Sequence, residues 1–265
     1  MNWKLKIVIG LLLTLLCLPN KGLSQGGGYG SMPSPLQIVL IFQNPDLKYD
    51  STLVHSFSET GKYKTKYKQI VNFGVYLADM AYAIQNKRNG IAIKYLHAIK
   101  ELGEKCEINQ MFNKLSIYER FESNLENKDS MMTILLDLSI TFEEYLQDEE
   151  VMRLVGIQFA GIWVEGSYVA SQIASFQSSE SLNKLLVHQY PVLENIVDVL
   201  NNLPSQDPYH KELTSDLAEL KKAMSEMKTI KKFMKKKYEI PLTEEELKIV
   251  EEKIRRIRTK MIAEG

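Results

Sequence analysis

Two stretches near the end of the chain carry apolar residues at alternating spacings of three and four. The first occupies residues 213–227 and the second residues 247–261. This spacing is typical of helices that pack through one apolar stripe. Pro241 lies between them, and Thr243 with Glu246 three residues later has the pattern of a capping box at a helix start. We therefore predict an antiparallel, coiled-coil-like helical hairpin over residues 204–265.

The region before the hairpin, residues 66–203, has apolar residues at helical spacing interrupted by short polar segments. The interruptions lie at 87–90, 107–110, 126–129, 147–149 and 178–180, which divides the region into five or six helices. Short connections favour antiparallel neighbours, and no segment recurs at a period of about 34 residues as in a helical-repeat protein. The predicted fold is all-α, an antiparallel helical bundle followed by the C-terminal hairpin.

The first 24 residues have the pattern of an export signal. Lys4 and Lys6 precede an apolar run at 7–16, and small residues stand at 22 and 24. The run is shorter than the roughly 20 residues that a membrane span requires. We predict that this signal peptide is removed and that the protein is exported, to the periplasm or beyond. The alternative is a lipoprotein anchored through Cys17, although that cysteine follows a leucine rather than the small residue that such processing favours.

Residues 25–65 are predicted to form a flexible, glycine-rich leader and an irregular segment without a core of its own. Within them, the apolar run LQIVLIF at 36–42 fits either a strand or the start of a helix.

Composition excludes several classes of function. Removing residues 1–24 leaves 30 basic and 33 acidic side chains, so no basic footprint for nucleic acid remains. Cys106 is then the single thiol, which excludes an internal disulfide and a cysteine-based zinc site. The chain has four histidines and no HExxH, GxSxG, P-loop or GxGxxG motif. We predict no metal, no cofactor and no nucleic-acid partner.

Basic residues are concentrated in the hairpin. Residues 221–260 hold 14 basic and 7 acidic side chains, whereas residues 25–220 hold 16 and 25. Five lysines share one helical face and form a candidate interaction surface: Lys228, Lys231, Lys232, Lys235 and Lys236. One interpretation pairs Lys231, Lys232 and the lysines at 235–237 with acids at 244–252, and Arg255 and Arg256 with Glu226. The other is contact with an anionic membrane or envelope polyanion. The charge asymmetry also allows the hairpin to dock on its own body or on a partner.

Two acidic residues fall inside apolar helical segments. The helix predicted around 155–173 carries small residues along much of its length, so another backbone can approach it closely, and it contains Glu165. Asp79 has similar neighbours in the first helix. A carboxylate in such surroundings must find a partner or take up a proton. The candidate site residues are Asp79, Glu165, Tyr76, Tyr82, Trp163 and Tyr168, with His97 as a further member. They form either an internally satisfied network that fixes helix register or a ligand pocket.

Four segments carry a resemblance to a known family. They are NFGVYLADMAYAI from Asn72, AIKYLHAIKELGEK from Ala92, RFESNLENKDSM from Arg120 and GIWVEGSYVASQI from Gly161. These segments resemble an uncharacterised family of exported, all-helical proteins of Bacteroidetes bacteria, over residues 72–173. The resemblance implies export and a helical fold, and it implies no activity and no catalytic residue. Many members of that family are lipoproteins, whereas Leu16 departs from their signal.

Three functions are compatible with these patterns. The first is a non-enzymatic binding protein of the cell envelope, with an envelope protein as partner and membrane-surface contact as a further option. The second is a carrier of a small ligand or lipid in an aromatic pocket around Asp79 and Glu165. The third is an enzyme that uses those two carboxylates.

Overall fold

The computed structural model describes residues 41–42, 44–106, 116–127, 130–131, 133–134, 149–203, 205–236 and 239–265. The predicted signal peptide, and the predicted leader as far as residue 40, lie outside these residues. A short 3-10 helix (Phe57–Lys62) is followed by α1 (Lys66–Gln85), α2 (Asn89–Lys105), α3 (Ile117–Ser123), α4 (Glu149–Gln177), α5 (Glu180–His188), α6 (Tyr190–Asn202), α7 (Pro208–Glu226), α8 (Lys228–Lys236) and α9 (Glu244–Ile262). No strand occurs among the described residues. The all-α prediction is confirmed.

The centre of the molecule is the crossing of α1 and α4. Every residue from 70 to 80 in α1 is buried. Glycines bring the two backbones together: a Cβ on Gly74 would lie 2.2 Å from the carbonyl oxygen of Gln158, and one on Gly161 would lie 2.2 Å from that of Val71. The predicted close approach of a second backbone to the small-residue helix is therefore confirmed.

Local capping explains why several helices begin where they do. The hydroxyl of Thr65 accepts a hydrogen bond from the Lys68 amide at the start of α1, and Ser179 does the same for Leu182 at the start of α5. Asp207 accepts from two amides of the first turn of α7. These side chains satisfy amides that have no partner within their own helix.

The hairpin has its predicted seam. All ten heptad residues are buried: Leu213, Leu217, Leu220, Met224, Met227, Leu247, Val250, Ile254, Ile257 and Met261. Lys260 of α9 pairs with Glu212 at 2.9 Å and with Asp216 at 2.7 Å on α7, which fixes the antiparallel register. The capping box of Thr243 and Glu246 is present. The hairpin is not separate from the bundle, because α9 packs against α4 and α1 as well as against α7.

The first arm of the hairpin breaks where we expected it to continue. Met227 has an extended backbone (φ −66°, ψ 140°), so α8 leaves the direction of α7 and packs against α5. The predicted charge pairing within the hairpin is consequently absent among the described residues. Arg255 pairs with Glu251 of its own helix, and in the described part of the chain no ion pair joins a lysine of α8 to α9.

Candidate functional site

Asp79 of α1 and Glu165 of α4 meet at the crossing of their helices, and neither side chain is exposed to solvent. The amide of His55 donates a hydrogen bond of 3.0 Å to Oδ2 of Asp79. Burial and the neighbouring charge of Glu165 hold the pKa of Asp79 well above its usual value. The two effects act in the same direction, because two adjacent buried carboxylates cannot both carry a charge at low cost.

Arg258 of α9 supplies the cation for Glu165. Its Nε and Nη2 atoms donate to the two carboxylate oxygens at 2.6 and 2.7 Å, and Nη2 also donates to the carbonyl of Leu53 at 3.2 Å. The guanidinium carbon lies 4.2 Å from the centre of the Tyr168 ring. Burial raises the pKa of Glu165, and the charge and hydrogen bonds of Arg258 oppose that rise. The bidentate geometry is the strong form of this interaction.

His55 covers the Asp79 side of the cluster. Its Nε2 atom lies 2.6 Å from the hydroxyl of Tyr63, and its ring stacks on Tyr76 with 5.6 Å between centres. Burial, assisted by the charge of Lys62, lowers the pKa of His55 to about 4. The imidazole is therefore neutral at pH 7. The hydroxyl of Tyr95 donates to the carbonyl of His55 at 2.6 Å, so this stretch of chain is held on both sides.

The structure brings together most of the predicted site residues, but in three different settings. Asp79 and Glu165 are in direct proximity, Tyr168 joins them through Arg258, and Tyr76 joins through His55 and donates to the carbonyl of Ser56 at 2.9 Å. Tyr82 points elsewhere.

The hydroxyl of Tyr82 contacts the carbonyl of Lys48 and accepts from the amide of Asp50, and so anchors the segment before the 3-10 helix. Trp163 is buried in the core, and its Nε1 has no hydrogen-bond partner among the described residues. His97 is exposed on α2 and does not belong to the cluster.

Sequence reasoning missed Arg258 and His55. Arg258 directly follows Ile257 of the heptad stripe, and an arginine at the edge of such a stripe can reach a third helix. Two acids expected in the core also required a partner or a proton, and a cation elsewhere in the chain is one such partner. No local pattern marks His55, which lies in an irregular segment.

Arg258 donates to both carboxylate oxygens of Glu165 and so joins α9 to α4. Within the described ranges, no group of three His, Cys, Asp or Glu side chains is placed to hold a metal ion. None of the described helices has the length and apolar character needed to cross a membrane. The geometry is that of a structural clamp between the hairpin and the bundle.

The lysine face of α8 is the second candidate site. The side chains of Lys228, Lys231, Lys232 and Lys235 are exposed, whereas that of Lys236 lies outside the described set. The opposite side of the helix is buried through Ile230 and Phe233. The helix therefore presents its basic side outward and uses its apolar side to attach to the protein.

Comparisons of the chain with protein-family models, with curated proteins and with solved structures found no match. The resemblance to exported proteins of Bacteroidetes stays a prediction.

Proposed function

We propose that this protein is an exported, non-enzymatic binding protein of the cell envelope, and that the lysine face of α8 is its contact surface for an acidic partner. The observation that carries the proposal is the exposure of Lys228, Lys231, Lys232 and Lys235 on one side of a helix. In the described structure these lysines have no ion pair with an acidic side chain, whereas other basic residues of the hairpin have one: Arg255, Arg258 and Lys260.

The buried carboxyls support a binding function over catalysis. Asp79 and Glu165 are fully buried, and Arg258 occupies both oxygens of Glu165. A general acid or base must come within hydrogen-bond reach of the substrate proton. In the described structure α9 and the segment around His55 cover these groups, so a substrate could reach them only after one of these elements had moved. Their role in this proposal is to fix the position of α9 and, with it, the hairpin.

Binding to isolated envelopes tests the contact surface. The triple variant Lys231→Gln, Lys232→Gln, Lys235→Gln should lose salt-sensitive retention on washed envelopes. A matched control removes the same charge from exposed lysines elsewhere: Lys48, Lys87 and Lys211. Retention of the α8 variant at the level of the parent protein would contradict the proposal.

Export is tested by sequencing the N-terminus of the protein isolated from its host. We expect the chain to begin at Gln25. A chain that begins at an acylated Cys17 would replace the free form by the lipoprotein alternative, and a chain that retains Met1 would contradict export through a cleaved signal.

A further inference from the structure

The shape and chemistry of the α8 surface point to one class of partner. We propose that the lysine face of α8 binds an anionic phospholipid surface, an inference that rests on the function proposed above and names its partner.

The lysine face of α8 is a short surface. With nine residues, α8 is about 13 Å long at 1.5 Å per residue. Lys228, Lys231, Lys232 and Lys235 follow one another at spacings of three, one and three, so they lie along a single side. Met234, at the flank of this row, is 42% exposed. The contact surface is a short convex ridge of flexible cationic side chains with one apolar residue.

Two acidic residues, Glu239 and Glu246, follow α8 in the sequence, and neither has an ion pair with a described lysine of that helix. Glu246 accepts hydrogen bonds from the amides of Thr229 and Thr243, both at helix starts. Glu239 lies 3.8 Å from the ring of His188. Glu246 therefore stabilises the connection between α8 and α9. The positive charge of the described α8 lysines is left available to a partner.

The lysines of α8 suit a lipid surface better than an acidic peptide. Recognition of a particular carboxylate or phosphate favours the planar, bidentate guanidinium of arginine, whereas lysine acts as a compact charge on a flexible stem. The ridge contains lysine as its only basic residue type. A convex row of lysines matches many laterally spread monoanionic groups, which is the chemistry of a bilayer that contains anionic lipid.

The buried side of α8 determines how the helix can contact a bilayer. Ile230 is 1% and Phe233 is 4% exposed, and the Phe233 ring meets that of His188 edge-on with 4.9 Å between centres. Because these apolar side chains are committed to the protein core, α8 rests on the headgroups through its lysines and does not bury an apolar face in the bilayer. Binding of this kind is reversible and depends strongly on salt.

Co-sedimentation with protein-free vesicles tests the inference. The probe is the full chain, mixed with vesicles of phosphatidylcholine alone or with about one third phosphatidylglycerol, at low and at high salt. Near such a surface each lysine contributes roughly five-fold in partition, so the triple variant Lys231→Gln, Lys232→Gln, Lys235→Gln should bind on the order of 100-fold more weakly. The control triple at Lys48, Lys87 and Lys211 should bind like the parent protein, and all three proteins share the same N-terminal segment.

Each outcome separates the two proposals. Salt-sensitive binding to the anionic vesicles that is lost in the α8 variant supports both. Failure of the parent protein to bind the vesicles, with envelope retention that still depends on the α8 lysines, overturns the lipid inference and assigns the surface to an acidic envelope protein or polysaccharide. Equal binding of the parent and the α8 variant to both vesicles and envelopes overturns both proposals.

Discussion

Replacing Arg258 by methionine should destabilise the protein by about 3–5 kcal/mol at neutral pH, the usual cost of removing one partner from a buried ion pair. Methionine keeps much of the apolar volume of the arginine stem but removes both hydrogen bonds to Glu165 and the cation over the Tyr168 ring. Glu165 is fully buried and stands next to Asp79. Its charge is therefore left without compensation. For a chain of this size the loss corresponds to a melting temperature lower by roughly 6–20 °C.

The loss in Arg258→Met should also depend on pH, because protonation is the one remaining way to neutralise Glu165. An acid whose folded pKa lies above its unfolded value takes up a proton on folding. Its contribution to the unfolding free energy then falls as pH rises from the unfolded pKa to the folded pKa. The deficit of the variant should therefore grow from pH 5 towards pH 8, by at most about 1.4 kcal/mol per pH unit for one proton.

Urea unfolding followed by circular dichroism at these pH values provides the measurement. Arg255→Met is the matched control, since Arg255 lies one turn earlier on α9, has a side chain 51% exposed and pairs with Glu251. It should cost at most about 0.5 kcal/mol. The double variant Arg258→Met, Glu165→Met should recover most of the lost stability. A deficit below about 1 kcal/mol for Arg258→Met, or one that does not change with pH, would refute the assignment of this pair as the clamp.

Three further variants test other parts of the fold. Gly161→Ala should lower the unfolding free energy by about 1–3 kcal/mol or more, because its Cβ would lie 2.2 Å from the carbonyl oxygen of Val71. The control Gly90→Ala, with no atom within 4 Å of its Cβ, should be neutral or slightly stabilising. Equal urea midpoints for the two variants would contradict the close crossing of α1 and α4. Asp79→Asn should become more stable relative to the parent as pH rises from 5 to 8. Burial raises the pKa of Asp79, so folding of the parent is coupled to binding of a proton at this residue. A difference in unfolding free energy that stays constant with pH would contradict this coupling. Lys68→Met should lower the unfolding free energy by about 1–3 kcal/mol and speed amide hydrogen exchange at residues 257–265. The reason is that Lys68 donates to the carbonyls of Lys260 at 2.7 Å and Ala263 at 3.1 Å. Unchanged exchange there would argue against its role as a cap of α9.

Features set by local periodicity were predicted well from the sequence. The heptad residues of the hairpin are buried as expected, because an apolar stripe at alternating spacings of three and four can face only one direction on a helix. The small residues of α4 indicated a close helix crossing, since only glycine leaves room for a neighbouring carbonyl at that distance. The juxtaposition of Asp79 and Glu165 was expected only on the condition that their two helices meet.

Features that depend on distant partners were not predicted. The pairing of Glu165 with Arg258 joins residues 93 positions apart, and no short-range pattern encodes it. The break at Met227 lacks glycine or proline on either side, so nothing in the local sequence marks it. The expected pairing of the α8 lysines with α9 failed for the same reason, because it assumed a straight continuation of α7. His97 was a candidate through its position in the sequence alone.

The clamp made by α9 also has a consequence for when the molecule can become folded during its synthesis. Lys68 donates a hydrogen bond to the carbonyl of Ala263, 195 positions later in the chain. Glu165 pairs with Arg258, 93 positions later. Until α9 has been synthesised, α1 packed against α4 would bury the charge of Glu165 without a partner, so this packing would be only weakly favoured. We propose that this chain crosses a membrane unfolded. Because the cation for Glu165 lies in the last helix, the polypeptide stays unfolded during transport, and the folded state becomes favoured once α9 is present.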